Sequence, residues 1–328
     1  MEAKVKVGLW GFGVMNKAML CYLKSYAVVA VIGRHDVGLD AGEVAGTGRL
    51  GVAITPPSEA ETTLKRTMPK VMILATQDTL REQEQQLRTC AVNGVSVVSI
   101  GCEAFYSWGT DPELTKELDS LFREHGATLT GTGYQDTYWM YMGSLLIGTS
   151  LEVSRVICDT QFNLDDYGGV ESVGVGMTAE EFMDFYPGSE PAYMRNSNEA
   201  LVARQNWKRI SSTEAYEPIV AETDTFSKCL GKVVPSGRVI GFITKVVTVA
   251  ETQEGDLITI EANQRALVYS DGDEDRCAWR TEGTPNQQVE CKGPDTVALT
   301  CTSAVKRIKH LLRWRPGYVP VSEFGPLA

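Results

Sequence analysis

The stretch Ser99–Trp108, SIGCEAFYSW, places one carboxylate, Glu103, after an apolar run that begins at Val95 and ahead of Phe105, Tyr106 and Trp108. Carboxylates seek water, so this one either points into solvent or is held for a purpose. Further on, Gly131–Leu146 reads GTGYQDTYWMYMGSLL: a glycine turn, then Tyr138, Trp139, Tyr141 and Met142 in a helix-like segment. Gln135 and Asp136 are its polar exceptions, and Asp136 is placed to cap it. Aromatic stripes at this spacing serve a core as readily as a site. A carboxylate desolvated by aromatic rings exchanges protons near neutral pH and, while ionised, attracts a small cation such as ammonium. Such a group releases ammonia for attack on a carbonyl and then assists loss of water from the carbinolamine, leaving an iminium for a hydride. The Y-x-x-x-K pair of direct carbonyl reduction is absent, and no Ser-His-Asp or metal-ligand arrangement competes.

A hydride implies a carrier, and the N-terminus supplies its motif. GLWGFGVMNKAML sets Gly11-x-Gly13-x-x-Asn16 directly after a strand-like run, with Phe12 inside the turn and Val14 and Met15 opening a helix. Gly11 suits the tight turn, Gly13 lets backbone approach a pyrophosphate, and the helix start turns its N–H groups toward it. The third glycine of the fingerprint is Asn16, and a plain βα turn would use similar residues. At the end of the second strand, VIGRHD puts Arg34 and His35 where a ribose-binding acid is expected. Arg34 can fork onto a 2′-phosphate, which favours NADP, while Asp36 keeps NAD open. Ala75, Thr76 and Gln77 close a third strand and offer backbone contacts. Gly101 and Cys102 lead into Glu103, at the crevice mouth near the expected nicotinamide.

The elements that must position these residues change character along the 328 residues, a length that suggests two domains. Up to about residue 135, unalternating strands (KVKVGLW, AVVAVIG, KVMILAT, VSVVSI) are separated by helical patterns over Met15–Tyr26, TLREQEQQLRTCAVN and PELTKELDSLFREHG. That is the signature of a parallel sheet covered on both faces. From 136 to 300 the reading is α+β on a largely antiparallel sheet. EVSRVICDTQFNL is a strand, TAEEFMDFY a capped helix, FITKVVTVAETQEGDLITIEANQRALV a hairpin, and QQVECKGPDTVALTC one or two more strands. Residues 301–328 return to helical spacing and are expected to pack back on the first domain. The class is therefore α/β: an N-terminal Rossmann doubly wound parallel sheet, 1–135, with a second α+β substrate and dimerisation domain.

Composition bounds the partners. With 43% hydrophobic and 22% charged residues the chain is ordinary globular protein, and its net charge of −11 disfavours nucleic acid and anionic membranes. No apolar run reaches the ~18 residues of a membrane span, and the start lacks a signal-peptide layout. The eight cysteines are scattered without a C-x-x-C pair and the three histidines are dispersed. This fits a reducing, cytoplasmic setting with neither disulfide nor structural metal.

GCEAF together with GTGYQDTYW resembles the native amine dehydrogenases, which are related to 2,4-diaminopentanoate dehydrogenase and more distantly to dihydrodipicolinate reductase. GRHDVGLDAGEVAG, EGTPNQQV and RPGYVPV extend the resemblance over nearly the whole chain, with Asn16 a departure from the dinucleotide fingerprint. The resemblance implies a homodimer in which Glu103 handles ammonia and proton transfer during reductive amination of small aldehydes or ketones. With it we place Gln135, Tyr138, Trp139, Phe162 and Tyr167 around the substrate and bring Thr302 in from the C-terminal helix. The His-His segment of the reductases is missing. An amino-acid or diamino-acid substrate would need a cationic clamp, for which Arg155 and Arg195 are the candidates. A nucleotide-binding redox sensor without turnover gives no reason for Glu103.

Overall fold

The computed structural model describes residues 3–167, 170–185, 193–325 and 327. They gather into two compact units, Met1–Asp136 with Val297–Ala328, and Thr137–Thr296.

The first unit opens with strands β1 (Lys6–Trp10) and β2 (Ala27–Ile32) around helix α1 (Val14–Met19). A helix over the whole of Met15–Tyr26 is not what forms. The chain tightens into a 3₁₀ turn at Leu20–Tyr22, where Tyr22 is exposed and has no apolar face to bury. The short α2 (Ala41–Val44), β3 (Ile54–Thr55) and α3 (Ala60–Thr67) follow, then β4 (Val71–Leu74), α4 (Leu80–Val92) and β5 (Ser96–Ser99). Next come α5 (Pro112–Glu124), β6 (Thr128–Gly131) and the short α6 (Tyr134–Asp136). Local chemistry sets the long helices. Thr79 and Glu82 form a reciprocal capping box on α4, and Asp111 caps α5 ahead of Pro112. All four β4 residues are buried because helices cover both faces of the sheet: Met72 and Leu74 enter one core, Val71 and Ile73 the other. β1 lies between β2 and β4, so strand order reverses there, and the ligand crevice of such sheets opens at that point.

The second unit begins with a π-helical turn at Thr137–Tyr141, which replaces the regular helix expected there, and continues into α7 (Met142–Gly148). Its strands are β7 (Glu152–Asn163), β8 (Lys208–Val220), the small pair β9 (Thr225–Ser227) and β10 (Lys232–Val234), then β11 (Val239–Glu251), β12 (Leu257–Leu267), β13 (Arg276–Thr284) and β14 (Gln287–Lys292). Helices α8 (Ala179–Phe185) and α9 (Tyr193–Arg204) lie between β7 and β8. The large sheet runs β14-β13-β7-β12-β11-β8, antiparallel except where β7 meets β12. The β11–β12 hairpin forms over Gly241–Leu267, as its alternation implies. One face of the sheet receives α7 and α9. On the strands stand cross-strand ion pairs such as Arg155–Glu261 and Arg280–Asp159, their arginines well exposed.

QQVECKGPDTVALTC yields only β14. Gly293, at φ +57°, and Pro294 end the strand, and Thr296 opens α10 (Thr296–Leu311). Residues 297–328 rejoin the first unit, where Gly317–Tyr318 adds a seventh strand beside β6. No helix among the described residues is long and apolar enough to cross a membrane.

Candidate active site

Gly11 sits at φ +86°, and a Cβ on it would lie 2.2 Å from the Ala75 carbonyl oxygen, so only glycine lets β1 turn here beside β4. Gly13 precedes α1, and a Cβ on it would meet nothing within 4 Å, which leaves its backbone open to an approaching group. The fully buried Asn16 explains the missing third glycine: its amide donates to the carbonyls of Trp10 (3.0 Å) and Gly11 (3.1 Å), stitching helix to strand. Asn16→Ala strips both carbonyls of a buried donor, so it should cost about 1–3 kcal/mol in chemical denaturation without altering the end of α1 that faces the turn.

Beyond this turn opens a cleft of about 540 Å³. Gly11, Phe12, Gly13, Arg34, His35, Ala75, Thr76 and Gln77 line it, while Val14, Met15, Gly101 and Cys102 fall outside its walls. Met15 packs against the core, Val14 is exposed, and burial near Asp78 pushes the Cys102 thiol well up. Sequence reasoning missed Pro57, Ser58 and Glu61 at β3–α3 and Gln85, Gln86 and Thr89 on α4. No motif announces them; they reach the cleft because β3 and α4 flank it in space. Arg34 and His35 are exposed, Asp36 pairs with Lys17 (3.5 Å), and Glu61 pairs with Lys65 (2.6 Å). The walls suit a dinucleotide phosphate. Gly13 leaves room for a pyrophosphate, and two buried cleft atoms, Thr76 Oγ1 and Gln86 Oε1, have no hydrogen-bond partner among the described residues.

Glu103 follows β5 on a 3₁₀ turn, Cys102–Phe105. Its N–H donates to the Asp78 carbonyl (3.0 Å), and its carboxylate accepts from the Leu80 N–H at the start of α4. An anion at a helix N-terminus is favoured by the unpaired amides and the dipole. This differs from an aromatic cage: Phe105 is in the core, and Trp108 leans edge-on against Tyr318. Tyr318 fixes the far side of the turn, donating to Ala104 (3.1 Å) and accepting from the Ser107 N–H (3.0 Å). Burial drives its hydroxyl pKa up, so it stays a neutral donor. Glu103 is thus one residue, through Asp78, from Gln77 of the cleft wall.

The remaining candidates divide by unit. In the first, Gln135 donates to the Thr132 carbonyl (3.1 Å) and folds its own turn, and the Thr302 hydroxyl returns to Leu299 (3.2 Å). Asp136 does not act as a helix cap: it is fully buried and paired with Arg307 at 2.6 Å. In the second, Phe162 and Tyr167 meet edge to face at 5.6 Å. The Tyr138 carbonyl accepts from Trp279 Nε1 and Cys277 Sγ, and burial followed by Cys291 lifts its hydroxyl pKa to about 12. The Trp139 indole is buried and its carbonyl accepts from Ser197. Both candidate clamps are engaged: Arg155 with Glu261 and Glu282, Arg195 with Glu199 and Glu214. No cluster of three metal-ligating side chains occurs among the described residues.

No family model matches the chain. It is similar over its whole length to the amine dehydrogenase from Mycobacterium smegmatis, with 35% identity, 100% of this chain and 98% of that one covered, and a TM-score of 0.93. A 2,4-diaminopentanoate dehydrogenase from Acetoanaerobium sticklandii is 27% identical over 239 residues, 67% of this chain and 66% of that protein, just under two thirds of its length. The biliverdin reductase of Synechocystis sp. PCC 6803, solved with biliverdin and NADP+, shares the fold at 12% identity and a TM-score of 0.58, covering 97% of this chain and 93% of that one. Full-length similarity at 35% identity agrees with the glycine turn, the cleft that opens beyond it and the helix-held carboxylate nearby: the chain belongs to the amine dehydrogenase family.

Proposed function

We propose that the protein reversibly converts a small aldehyde or ketone and ammonia into a primary amine, with NADP as its preferred cofactor. The observation that carries this reading is the Glu103 carboxylate held on the Leu80 N–H beside the Gln77 end of the cleft. Gly11–Gly13 would hold the pyrophosphate, Arg34 and His35 the 2′-phosphate, and Ala75–Gln77 the approach to the nicotinamide. When bound, the cofactor supplies the hydride that reduces the iminium carbon. The Glu103 carboxylate takes a proton from ammonium, and the ammonia released attacks the carbonyl carbon to form a C–N bond. After the carbinolamine forms, the carboxyl returns its proton to the hydroxyl, the C–O bond breaks, and water leaves. In sum, carbonyl, ammonium, NADPH and one proton give alkylammonium, NADP+ and water. Tyr138, Trp139, Phe162 and Tyr167, all of the second unit, are the residues we assign to the alkyl group of the substrate.

The alternative, oxidative deamination of an amino or diamino acid, needs a cation for the carboxylate. Arg155 and Arg195 are both committed to ion pairs, which favours the simple amine. NADPH oxidation with short aldehydes and ketones, with and without ammonium at alkaline pH, tests the reading. NADPH consumption should require both carbonyl and ammonium; NADP+ reduction by amino or diamino acids, with no turnover of short amines or carbonyls, would replace it.

NADP preference is supported by Arg34 on the cleft wall and by the Lys17–Asp36 pair, which engages the acid two residues further on. Arg34→Ala should raise the NADPH Kd about tenfold to a hundredfold, the worth of a charge-assisted contact, and move the NADH Kd less than about threefold. Fluorescence titration with both cofactors reads the difference. A homodimer and a cytoplasmic setting complete the proposal.

A further inference from the structure

Gln83 stands on the first turns of α4 and is 1% exposed, an unusual place for a carboxamide. Its Nε2 donates to the Gln77 carbonyl, its Oε1 accepts from the Ser99 hydroxyl (2.9 Å), and Ser99 Oγ accepts from the Gly101 N–H (3.0 Å). The chain of donors has one direction. Turning the amide over would set two oxygens, those of Gln83 and Gln77, against each other, so the side chain has a single orientation. The two loops it joins are the one after β4, which walls the dinucleotide cleft, and the one after β5, which carries Glu103. They press together: a Cβ on Gly101 would lie 2.6 Å from the Gln77 oxygen and 2.7 Å from Gln83 Nε2. Glu103 then takes its own two bonds from the same segment, at Asp78 and Leu80. An apolar residue at 83 would fill the volume yet strip the Gln77 carbonyl of this donor and the fully buried Ser99 hydroxyl of its Gln83 acceptor.

We propose that Gln83 is a positioning residue for Glu103: its carboxamide sets the spacing between the cofactor-lining loop and the turn that carries the carboxylate. The proposal rests on the acid–base role given to Glu103 above. Gln83→Met keeps length and volume while removing both hydrogen bonds. Its effect is read in a cycle of four proteins: wild type, Gln83→Met, Glu103→Gln and the double variant. For each, single-turnover rates are measured against ammonium concentration at saturating NADPH and carbonyl, and the NADPH Kd is measured by fluorescence.

Gln83→Met alone should lower kcat/KM for ammonium about tenfold to a hundredfold with the NADPH Kd shifted less than about threefold, as small misplacements of a reacting group do. In the Glu103→Gln background the same change should cost less than about threefold, because the group it positions is already disabled. Equal losses in both backgrounds, or a Gln83→Met enzyme within threefold of wild type, would overturn the inference while leaving the role of Glu103 intact. A Glu103→Gln enzyme with wild-type ammonium dependence would remove the role of Glu103, and the inference with it. If Gln83→Met does not fold, Ser99→Ala carries the same cycle: it deletes only the hydroxyl between Gln83 and Gly101. There a loss of about threefold to tenfold confined to the Glu103 background is expected, and equal losses overturn the inference.

Discussion

Glu103→Gln should lower ammonium-dependent turnover by about a thousandfold or more, within the range that a positioned proton-transfer group contributes. The NADPH Kd should move less than about threefold, because the cleft walls do not include residue 103. The amide is the informative substitution. Its oxygen can still accept from the Leu80 N–H, so the turn keeps its shape, but it can neither take a proton from ammonium nor deliver one to a leaving hydroxyl. A loss of rate therefore reports chemistry and not misfolding. Glu103→Asp tests the geometry from the other side. The acid remains, but one methylene is missing, so the carboxylate cannot keep the Leu80 contact and its reach together; a loss of about tenfold to a hundredfold is expected. Steady-state rates against ammonium and a fluorescence titration of NADPH check both variants. Wild-type turnover by the Gln protein would show that Glu103 only caps α4.

The largest effect on stability should come from Asp136→Asn. Asp136 and Arg307 are both fully buried, 2.6 Å apart, with Thr132 donating to the same carboxylate oxygen at 2.7 Å. The guanidinium lies over the Phe324 ring at 4.3 Å, and Trp314 packs on that ring in turn. The asparagine keeps the shape and leaves a buried cation without its counter-charge, a change that costs about 3–5 kcal/mol. For a chain of this size that corresponds to a drop in Tm of about 4–7 °C by calorimetry. Arg307→Met strands the acid instead, and its pH dependence has a definite sign. Burial raises the Asp136 carboxyl pKa, and Arg307 opposes that rise. A carboxyl raised in the folded state stabilises the fold below its unfolded pKa, and that contribution is lost as pH rises through the folded value. Arg307→Met should therefore lose stability more steeply than wild type as pH rises above about 4, the unfolded carboxyl's range, and the double variant with Asp136→Asn should not. An Asp136→Asn protein that melts with wild type would mean the pair is balanced by its desolvation cost. Asp136 also ends the first of the two chain segments that make up its unit.

Much of this molecule is decided locally and was legible in the sequence. Unalternating β-branched runs mark the parallel strands because a strand buried on both faces has no polar side. Thr79–Glu82 and Asp111–Pro112 mark helix starts because they satisfy amides that the helix itself leaves open. The glycine turn is equally local, since only Gly11 tolerates its backbone beside Ala75. β8 was not legible, because its residues alternate between exposed and half-buried without a strong apolar face, and β6 is too short and rich in threonine. At the site, residue types and order alone singled out Glu103, Arg34 and the strand-end backbone at Ala75–Gln77. What held them waited for the tertiary structure. A carboxylate read as caged by aromatics is seated on a helix N-terminus from another loop, and Asn16, a flaw in a motif, is a suture. Asp136, read as a cap, is half of a buried ion pair whose other half lies 171 positions away. The division has one physical cause. Backbone conformation and capping depend on neighbours a few residues apart, which the sequence lists in order. Hydrogen-bond partners and counter-charges for buried groups are chosen among whatever the fold brings within three ångströms, and sequence distance carries no information about that choice.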